Sequence, residues 1–432
     1  MEQHLMGHFL SRRSILSTAA VAVAGTGMGI PSLDDRSRHR TLQTGVQVLM
    51  SDDYELVRGQ KVGIVTNPTG ILPDLRHEVD VMAASDAIEL TAVFGPEHGF
   101  RGAAQAGGSE GFYVDEQTGL PVYDAYQKSG QALADIFTRS GVDTIMFDIQ
   151  DAGARFYTYI WSMFDSMQAA VLAGKRFVVL DRPNPISGRR AYGPIMTPQF
   201  STFVGREAIS QAHGMTVGEL ARLFDAEFLG GQVDLTVVEM RGWKRDQVYE
   251  DSGLPWVLPS PNMPTVDTAI VYPGTGMFEG TNLSEGRGTT RPFELIGAPY
   301  VDHRWADALN ELELPGAAFR PAYFTPTFSK HVNTLCAGVQ LYVTDREAFD
   351  PVKTGVAMLV TAKRVYPGDF AWRYDSYDPA RPYWIDKLTG STQVRTDIDA
   401  GKGLDEVERG WAGPLKEFAD KRRRHLIYRG GN

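Results

Sequence analysis

Short apolar runs alternate with amphipathic stretches along the first 265 residues of the chain. The runs are rich in β-branched residues and end in glycine, proline or polar residues, which predicts buried strands. They cover residues 61–66, 90–94, 144–148, 176–180 and 234–239. Helices are predicted between them over residues 80–87, 132–140, 161–173 and 217–227. Since alternating strands and helices form right-handed parallel crossovers, the pattern predicts an α/β domain with a parallel sheet.

The pattern changes after an extended segment with several prolines at residues 256–264. Residues 268–272 predict one more strand, and residues 335–343 partly alternate as a half-buried antiparallel strand does. Residues 357–365 predict a helix. We therefore expect a first domain over residues 42–265 and a smaller α+β domain over residues 266–432.

Polar side chains follow the predicted strands at their carboxyl ends, where open α/β sheets bind ligands. Glu97 follows the second strand, and Asn67 follows the first, where it could contact a ligand or cap the local turn. The polar residues after the next two strands are Asp148, Gln150, Asp151 and Arg155, and then Asp181, Arg182 and Asn184. Because parallel strands end at one edge of a sheet, we expect these clusters to face a single crevice.

Glu97 lies in the sequence Phe94-Gly-Pro-Glu-His-Gly-Phe-Arg-Gly102, where Gly95-Pro96 breaks the strand. A carboxyl group that donates a proton needs partial burial or a neighbouring anion, and the flanking phenylalanines suit a half-buried acid. His98 is predicted to orient Glu97 or to contact a ligand. Arg101 could contact a ligand or form an internal ion pair. The glycine-rich residues 101–111 predict a loop or lid beside Glu97.

A second glycine-rich segment, residues 274–290, resembles a dinucleotide-binding loop only loosely. Its glycine spacing is one residue too long, and its carboxylates would repel a pyrophosphate. We expect instead a loop whose small residues let Glu279, Glu285 and Arg287 approach a ligand. The candidates for a second acidic group are Asp148, Asp151, Asp181, Glu279 and Glu285. Arg155, Arg182 and Arg287 could pair with an acidic ligand, or each could form an internal salt bridge.

Other catalytic chemistries have weaker support. Glu97, His98, Asp148 and Asp181 could supply oxygen and nitrogen ligands, but adjacent Glu and His cannot easily bind one ion, and no metal is predicted. The sequence Gly107-Gly-Ser-Glu-Gly111 matches G-x-S-x-G, but it lies in a polar stretch and not at a strand-to-helix elbow. A cofactor-dependent oxidoreductase stays open as a separate class, although no cofactor is predicted.

Charge and the N-terminus limit the partners. The net charge is −10 and the body of the chain has no strong basic block, so nucleic acid is not an expected partner. The basic run 421–425 predicts a solvated helix end. Residues 1–35 carry paired arginines followed by an apolar run too short to span a membrane comfortably, which predicts twin-arginine export and no stable membrane insertion. The single cysteine, Cys336, excludes an internal disulfide.

Six motifs resemble the NamZ-type exo-β-N-acetylmuramidases. They lie at residues 62–70, 94–102, 147–159, 180–185, 259–263 and 284–290. The resemblance implies a Rossmann-like N-terminal domain without nucleotide, with the C-terminal domain completing the cleft. It implies release of N-acetylmuramic acid from the non-reducing ends of peptidoglycan fragments, with muropeptides or disaccharides as partners. Glu97 matches the family's proposed catalytic glutamate. Tyr157 and Asn262 lie within the motifs and are candidate ligand contacts.

Asp148 and Glu285 are predicted to be catalytic together with Glu97, and which of the candidates is the second carboxylate stays open. The resemblance implies that the arginines could bind the lactyl carboxylate of muramic acid. Retention and inversion both stay open, since they are distinguished by carboxyl separations of roughly 5–5.5 Å and 6.5–9.5 Å respectively. A non-catalytic cell-wall-binding protein that uses the same cleft is the alternative. The sequence predicts no oligomeric state.

Overall fold

The structure is a computed structural model that describes residues 42–105 and 107–430. The predicted export signal at residues 1–35 lies outside the described residues. Twelve strands are β1 (Lys61–Thr66), β2 (Glu89–Gly95), β3 (Tyr113–Val114), β4 (Pro121–Asp124), β5 (Thr144–Asp148), β6 (Arg176–Leu180), β7 (Tyr192–Ile195), β8 (Ser210–Ala212), β9 (Leu235–Val238), β10 (Leu295–Ala298), β11 (Ala317–Phe324) and β12 (Cys336–Val343).

The helices differ widely in length and occur in both halves of the described chain. They are α1 (Gly45–Ser51), α2 (Glu78–Ala83), α3 (Gly130–Ser140), α4 (Tyr159–Ala173), α5 (Val217–Phe228), α6 (Val266–Thr275), α7 (Arg304–Asn310), α8 (Pro351–Val365), α9 (Trp384–Thr389), α10 (Gln393–Asp399) and α11 (Leu404–Arg422). Short 3-10 helices connect some of them, including Gly276–Gly280, which follows α6 directly. No helix within the described ranges is both long enough and apolar enough to cross a bilayer.

The centre of the N-terminal half is a seven-stranded sheet with the order β3-β4-β2-β1-β5-β6-β9. All neighbours pair in parallel except β3, which is antiparallel to β4. Every residue of β5 is buried, as expected for a central strand covered on both faces. The predicted α/β class with a mostly parallel sheet is confirmed. The carboxyl ends of β2, β1, β5 and β6 are adjacent at one edge.

Helix α5 begins with a capping box. The Thr216 hydroxyl accepts a hydrogen bond from the Glu219 backbone at 3.2 Å, and the Glu219 carboxylate accepts one from the Thr216 backbone at 3.1 Å. This reciprocal capping box satisfies two donors that a helix N-terminus otherwise leaves open. Helix α4 ends at Gly174, which has the left-handed conformation that glycine favours after a helix.

The C-terminal half is α+β, with a three-stranded antiparallel sheet in the order β10-β12-β11. Its apolar core includes Trp305, Val339 and Leu359, whereas the core around the larger sheet includes Phe147, Trp161 and Phe224. The described residues of both halves nevertheless form one compact unit. The domain boundary near residue 265 therefore stays a prediction.

One predicted element is wrong: residues 268–272 are part of helix α6 and not a strand. The hydroxyl of Thr265 accepts a hydrogen bond from the Thr268 backbone at 3.2 Å and caps the helix. An apolar run of five residues fits a buried strand and a buried helix equally well, so periodicity alone could not decide.

Candidate active site

A cavity of about 1080 Å³ opens beside the carboxyl end of β2. Its volume is at the upper end of the usual range for small-molecule sites. Side chains from both halves of the chain form its wall. They include Glu97, His98, Tyr126, Tyr157, Thr158, Tyr159, Phe203, Tyr272, Glu279, Asn282, Glu285, Arg287, Phe328, Lys330, His331, Arg373 and Trp384.

Glu97 reaches this cavity because the chain turns sharply after β2. His98 and Gly99 both have left-handed backbone conformations, with φ of 71° and 78°. The positive φ favours glycine at position 99, where a Cβ atom would also displace the Glu110 carboxylate, 2.4 Å away. The turn places Glu97 half-buried in the cavity wall.

Both carboxylate oxygens of Glu97 have donors. Oε1 accepts a hydrogen bond from the backbone of Gly107 at 2.8 Å, and Oε2 accepts one from the Thr158 hydroxyl at 3.3 Å. Burial raises the pKa of the neighbouring Tyr126, and the charge of Glu97 raises it further. The glycine-rich loop thus contacts Glu97 directly, as the sequence suggests.

His98 is buried and has a fixed orientation. Its Nδ1 lies 3.0 Å from the carbonyl oxygen of Ala104. Only a protonated Nδ1 can donate to a carbonyl, so a neutral ring has its lone pair at Nε2. Nε2 has no hydrogen-bond partner among the described residues, which leaves it available to a ligand in the cavity.

Tyrosines form an apolar wall beside Glu97. Tyr157 is in edge contact with Tyr159 and Tyr272, with ring centroids 5.4 and 5.7 Å apart. The Tyr157 hydroxyl is buried without a partner among the described residues, and burial holds its pKa well above the usual value. It therefore stays protonated and can donate a hydrogen bond. Aromatic faces with a few polar groups are typical of sugar sites.

A charged cluster forms another part of the wall. Arg287 contacts Glu279 at 2.9 Å and Glu285 at 3.3 Å, and the Lys330 ammonium lies 2.9 Å from Glu285. Burial alone would lower the pKa of Arg287, but the two carboxylates outweigh it and the pKa is raised. Lys330 also donates to the carbonyls of Phe278 and Leu283, at 2.8 and 3.0 Å. The predicted approach of Glu279, Glu285 and Arg287 to one cleft agrees with this arrangement.

The expectation that three strand ends face one crevice is wrong for β5 and β6. Asp148 is fully buried, forms an ion pair with Arg182, and does not line the cavity. Glu78 lies beside this pair, 3.9 Å from Arg182, and burial together with Asp148 raises its pKa. An ion pair without solvent access offers no position for a sugar, which is why we correct the interpretation of Asp148 and Arg182.

The other strand-end residues are likewise held by the protein. Asp151 contacts His213 at 3.0 Å, and the Gln150 amide donates to the carbonyls of Asp151 and Pro183. Asn67 accepts from the hydroxyl of Thr69 at 2.6 Å, which is the local-turn alternative. Further members of the predicted set that do not line the cavity are Arg155, Asp181, Asn184 and Asn262.

Arg155 illustrates why these residues do not line the cavity. Its guanidinium is fully buried and donates to three carbonyl oxygens, those of Pro194, Ile209 and Leu388, at 2.7–3.0 Å. Burial lowers its pKa to about 9. Arg101 is also internal, since its NH2 nitrogen lies 2.7 Å from Asp80 and 2.8 Å from Asp115.

Comparison with known proteins agrees with this geometry. The N-terminal and C-terminal models of "Exo-beta-N-acetylmuramidase NamZ" match residues 62–267 and 270–428. A relative from Bacillus subtilis (strain 168), "Peptidoglycan beta-N-acetylmuramidase NamZ", is 48% identical over 398 residues, covering 92% of this chain and 94% of its own. The chain belongs to the NamZ family.

Two crystal structures of DUF1343 family proteins from Bacteroides fragilis NCTC 9343 are similar to this fold. They match with TM-scores of 0.81 and 0.71 at 31% and 28% identity, each over 90% of this chain and 99% of its own. The resemblance seen in the six motifs is confirmed, and membership of the NamZ family makes the chain a glycoside hydrolase.

Several residues of this NamZ cavity were missed from the sequence. Lys330 and Arg373 come from irregular segments and Trp384 begins α9, so none of them carries a strand-end signal. Residues 329 and 331 have φ of 70° and 56°, a backbone conformation that no motif announces. Among the described residues, no group of three or more His, Cys, Asp or Glu side chains could hold a metal ion.

Proposed function

We propose that this chain hydrolyses the β-glycosidic bond of a terminal N-acetylmuramic acid at the non-reducing end of peptidoglycan fragments, with Glu97 as general acid. The name of the Bacillus subtilis relative supports the muramidase activity. The observation that carries the role of Glu97 is its position: a half-buried carboxyl group on a strand-end turn, in the wall of the large cavity. Export through the signal at residues 1–35 would bring the enzyme to this substrate.

The arrangement around Glu97 holds its carboxyl group in a fixed position in the cavity wall. Gly107 and Thr158 fix the two carboxylate oxygens, so the group is oriented before substrate arrives. Tyr157 can donate a hydrogen bond to the sugar, and the tyrosine faces can pack against its apolar side. The second carboxylate of the reaction is proposed to be Glu285 or Glu279, because both line the same cavity.

The test is turnover of a chromogenic β-glycoside of N-acetylmuramic acid by purified Glu97→Gln. We expect kcat to fall by roughly 10²–10⁴-fold, the usual contribution of general acid catalysis, with an unchanged circular dichroism spectrum and thermal transition. Glu116→Gln, a change of an exposed glutamate, is the matched control. Near-normal turnover by Glu97→Gln would remove Glu97 from this role. Tight muropeptide binding without sugar release by the wild type would instead support the binding-protein alternative.

A further inference from the structure

Arg373 is a cation of the cavity wall that no carboxylate among the described residues neutralises. The charged wall residues of the cavity are Glu97, Glu279, Glu285, Arg287, Lys330 and Arg373. Arg287 and Lys330 pair with Glu279 and Glu285, as described above. Within the described part of the chain, no carboxylate lies within ion-pair distance of Arg373, and its guanidinium donates no hydrogen bond to a protein acceptor.

The backbone holds Arg373 in place although its side chain is free. Its N–H donates to the carbonyl of Gly280 at 2.8 Å, and its own carbonyl accepts from the backbone of Trp384 at 3.1 Å. The guanidinium lies over the Trp384 ring, 4.7 Å from the centroid. An arginine stacked on an aromatic face keeps its edge, with its N–H donors, free for a planar anion.

Lys330 also lies in the cavity wall, but it is less available than Arg373 to bind an anionic ligand. Burial lowers the pKa of the Lys330 ammonium, with the positive charge of Arg373 as a further lowering influence, while Glu285 acts in the opposite direction. Lys330 already has two carbonyl oxygens and a carboxylate around it. Its donors are used by the protein, whereas those of Arg373 are exposed to the cavity.

We propose that Arg373, supported by Trp384, binds the lactyl carboxylate of muramic acid and thereby makes the site prefer N-acetylmuramic acid to N-acetylglucosamine. The inference rests on the proposed function and deepens it, because the two sugars differ in the lactyl ether at C3. A bidentate arginine–carboxylate contact supplies both charge and direction. The sequence-based candidates for this task, Arg155, Arg182 and Arg287, are all occupied by internal partners.

The test measures binding of the free sugars by isothermal titration calorimetry. Wild-type protein, Arg373→Gln, Arg373→Lys and the control Arg222→Gln are titrated with N-acetylmuramic acid, its lactyl methyl ester and N-acetylglucosamine. Arg222 is an exposed residue of α5 outside the cavity. We expect Arg373→Gln to weaken binding of the acid by about 10- to 100-fold, the effect of losing charged hydrogen bonds, and to leave the other two sugars unchanged.

Titration with the lactyl methyl ester is an independent test that needs no protein variant. The wild type should bind the ester as weakly as Arg373→Gln binds the acid, and the two losses should not add, because both remove the same contact. Arg373→Lys should recover part of the affinity. Equal binding of acid and ester by the wild type, additive losses, or no measurable binding of the acid would each overturn the proposal.

Kinetics separate this inference from the proposed function. With the chromogenic muramic acid glycoside, Arg373→Gln should raise KM by a similar factor while kcat changes less than threefold. A wild type that does not hydrolyse this glycoside contradicts the proposed function. A wild type that hydrolyses it, with an unchanged KM in Arg373→Gln, contradicts only the role of Arg373.

Discussion

Asp181 illustrates how a polar residue at a strand end can serve the fold and not the site. Its two carboxylate oxygens accept hydrogen bonds from the backbones of Arg182 and Gly218 and from the hydroxyls of Thr216 and Tyr428, at 2.6–2.9 Å. These bonds favour the ionised form, but complete burial outweighs them and raises the pKa of Asp181 to about 7.

This pKa makes stability depend on pH in a defined direction. The unfolded chain releases the Asp181 proton near pH 4, whereas the folded protein holds it up to about pH 7. The folded state therefore binds more protons between these values, and stability falls as pH rises through them. Asp181→Asn cannot ionise. We expect the wild type to lose roughly 2–3 kcal/mol of unfolding free energy relative to this variant between pH 5 and 8.

Urea unfolding at several pH values measures this difference. Asp405→Asn changes an exposed aspartate whose side chain is 82% accessible, and its curve should run parallel to that of the wild type. A constant difference between wild type and Asp181→Asn across the range would contradict the raised pKa.

At the residue scale, the sequence predicted that Glu97 faces a cleft, but it did not predict that the other strand-end residues are held inside the protein. Glu97 follows a glycine–proline break that carries the chain away from the sheet, so its side chain can enter a cavity. Asp148 is the last residue of β5, and its side chain forms an ion pair with Arg182, which lies just after β6. Both residues look alike in the sequence, because the direction of a strand-end side chain depends on the route of the following loop.

At the element scale, close backbone packing explains the element that was predicted wrongly. Helix α6 crosses α8 at Gly274 and Gly355. A Cβ atom on Gly274 would lie 1.9 Å from the carbonyl oxygen of Pro351, and one on Gly355 would lie 2.6 Å from the backbone of Gly274. This close approach depends on a partner helix elsewhere in the chain. The pattern of apolar residues within α6 alone gives no information about that partner.

Gly355→Ala should therefore destabilise the protein although alanine favours helices. The added methyl must push two backbones apart, and overpacking of this kind costs about 1–3 kcal/mol. Because α6 leads directly into Gly276–Gly280, which contains Glu279, we also expect turnover to fall. Urea unfolding and the chromogenic assay measure the two effects.

Gly368→Ala is the control at this scale, because an added Cβ there meets nothing within 4 Å. It lies just beyond the end of α8 and should change the unfolding free energy by less than about 0.5 kcal/mol. Equal stability of the two variants would show that the helix crossing can adapt to a methyl group.

At the scale of the whole molecule, the last helix connects the two apolar cores. In α11, Trp411 belongs to the core of the C-terminal half and Phe418 to the core around the larger sheet. Beyond it, Tyr428 donates to Asp181 at 2.6 Å, and the backbone of Ile427 donates to Glu219 at 2.8 Å. The end of the chain thus closes onto the N-terminal sheet, which no local motif predicts because the partners are some 200 residues away in sequence.

The basic run 421–425 needs a correction for the same reason. Arg423 and Arg424 are exposed, with side-chain accessibilities of 68% and 67%, as predicted for a solvated helix end. Arg422 is buried and donates to the carbonyls of Gly214 at 2.6 Å and Arg189 at 3.0 Å. Burial lowers its pKa to about 10. Neighbours in one charged run therefore have different surroundings, because helix periodicity turns Arg422 inwards and leaves Arg423 facing outwards.

Arg422→Met tests whether this contact holds the whole molecule together. Methionine preserves most of the apolar stem but removes the donor of the Arg189 carbonyl and the shorter of two bonds to the Gly214 carbonyl, which also accepts from Arg245 at 3.3 Å. We expect a loss of about 1–3 kcal/mol, the cost of leaving one such acceptor unsatisfied. Arg423→Met removes the same charge one residue later, where the side chain pairs with the exposed Asp420, and should change stability by less than about 0.5 kcal/mol. Differential scanning calorimetry of the two variants compares the effect of removing a buried arginine with the effect of removing an exposed arginine at the adjacent position. If both melt at the wild-type temperature, the carbonyls have found other donors and the C-terminal closure contributes little to the stability of the enzyme.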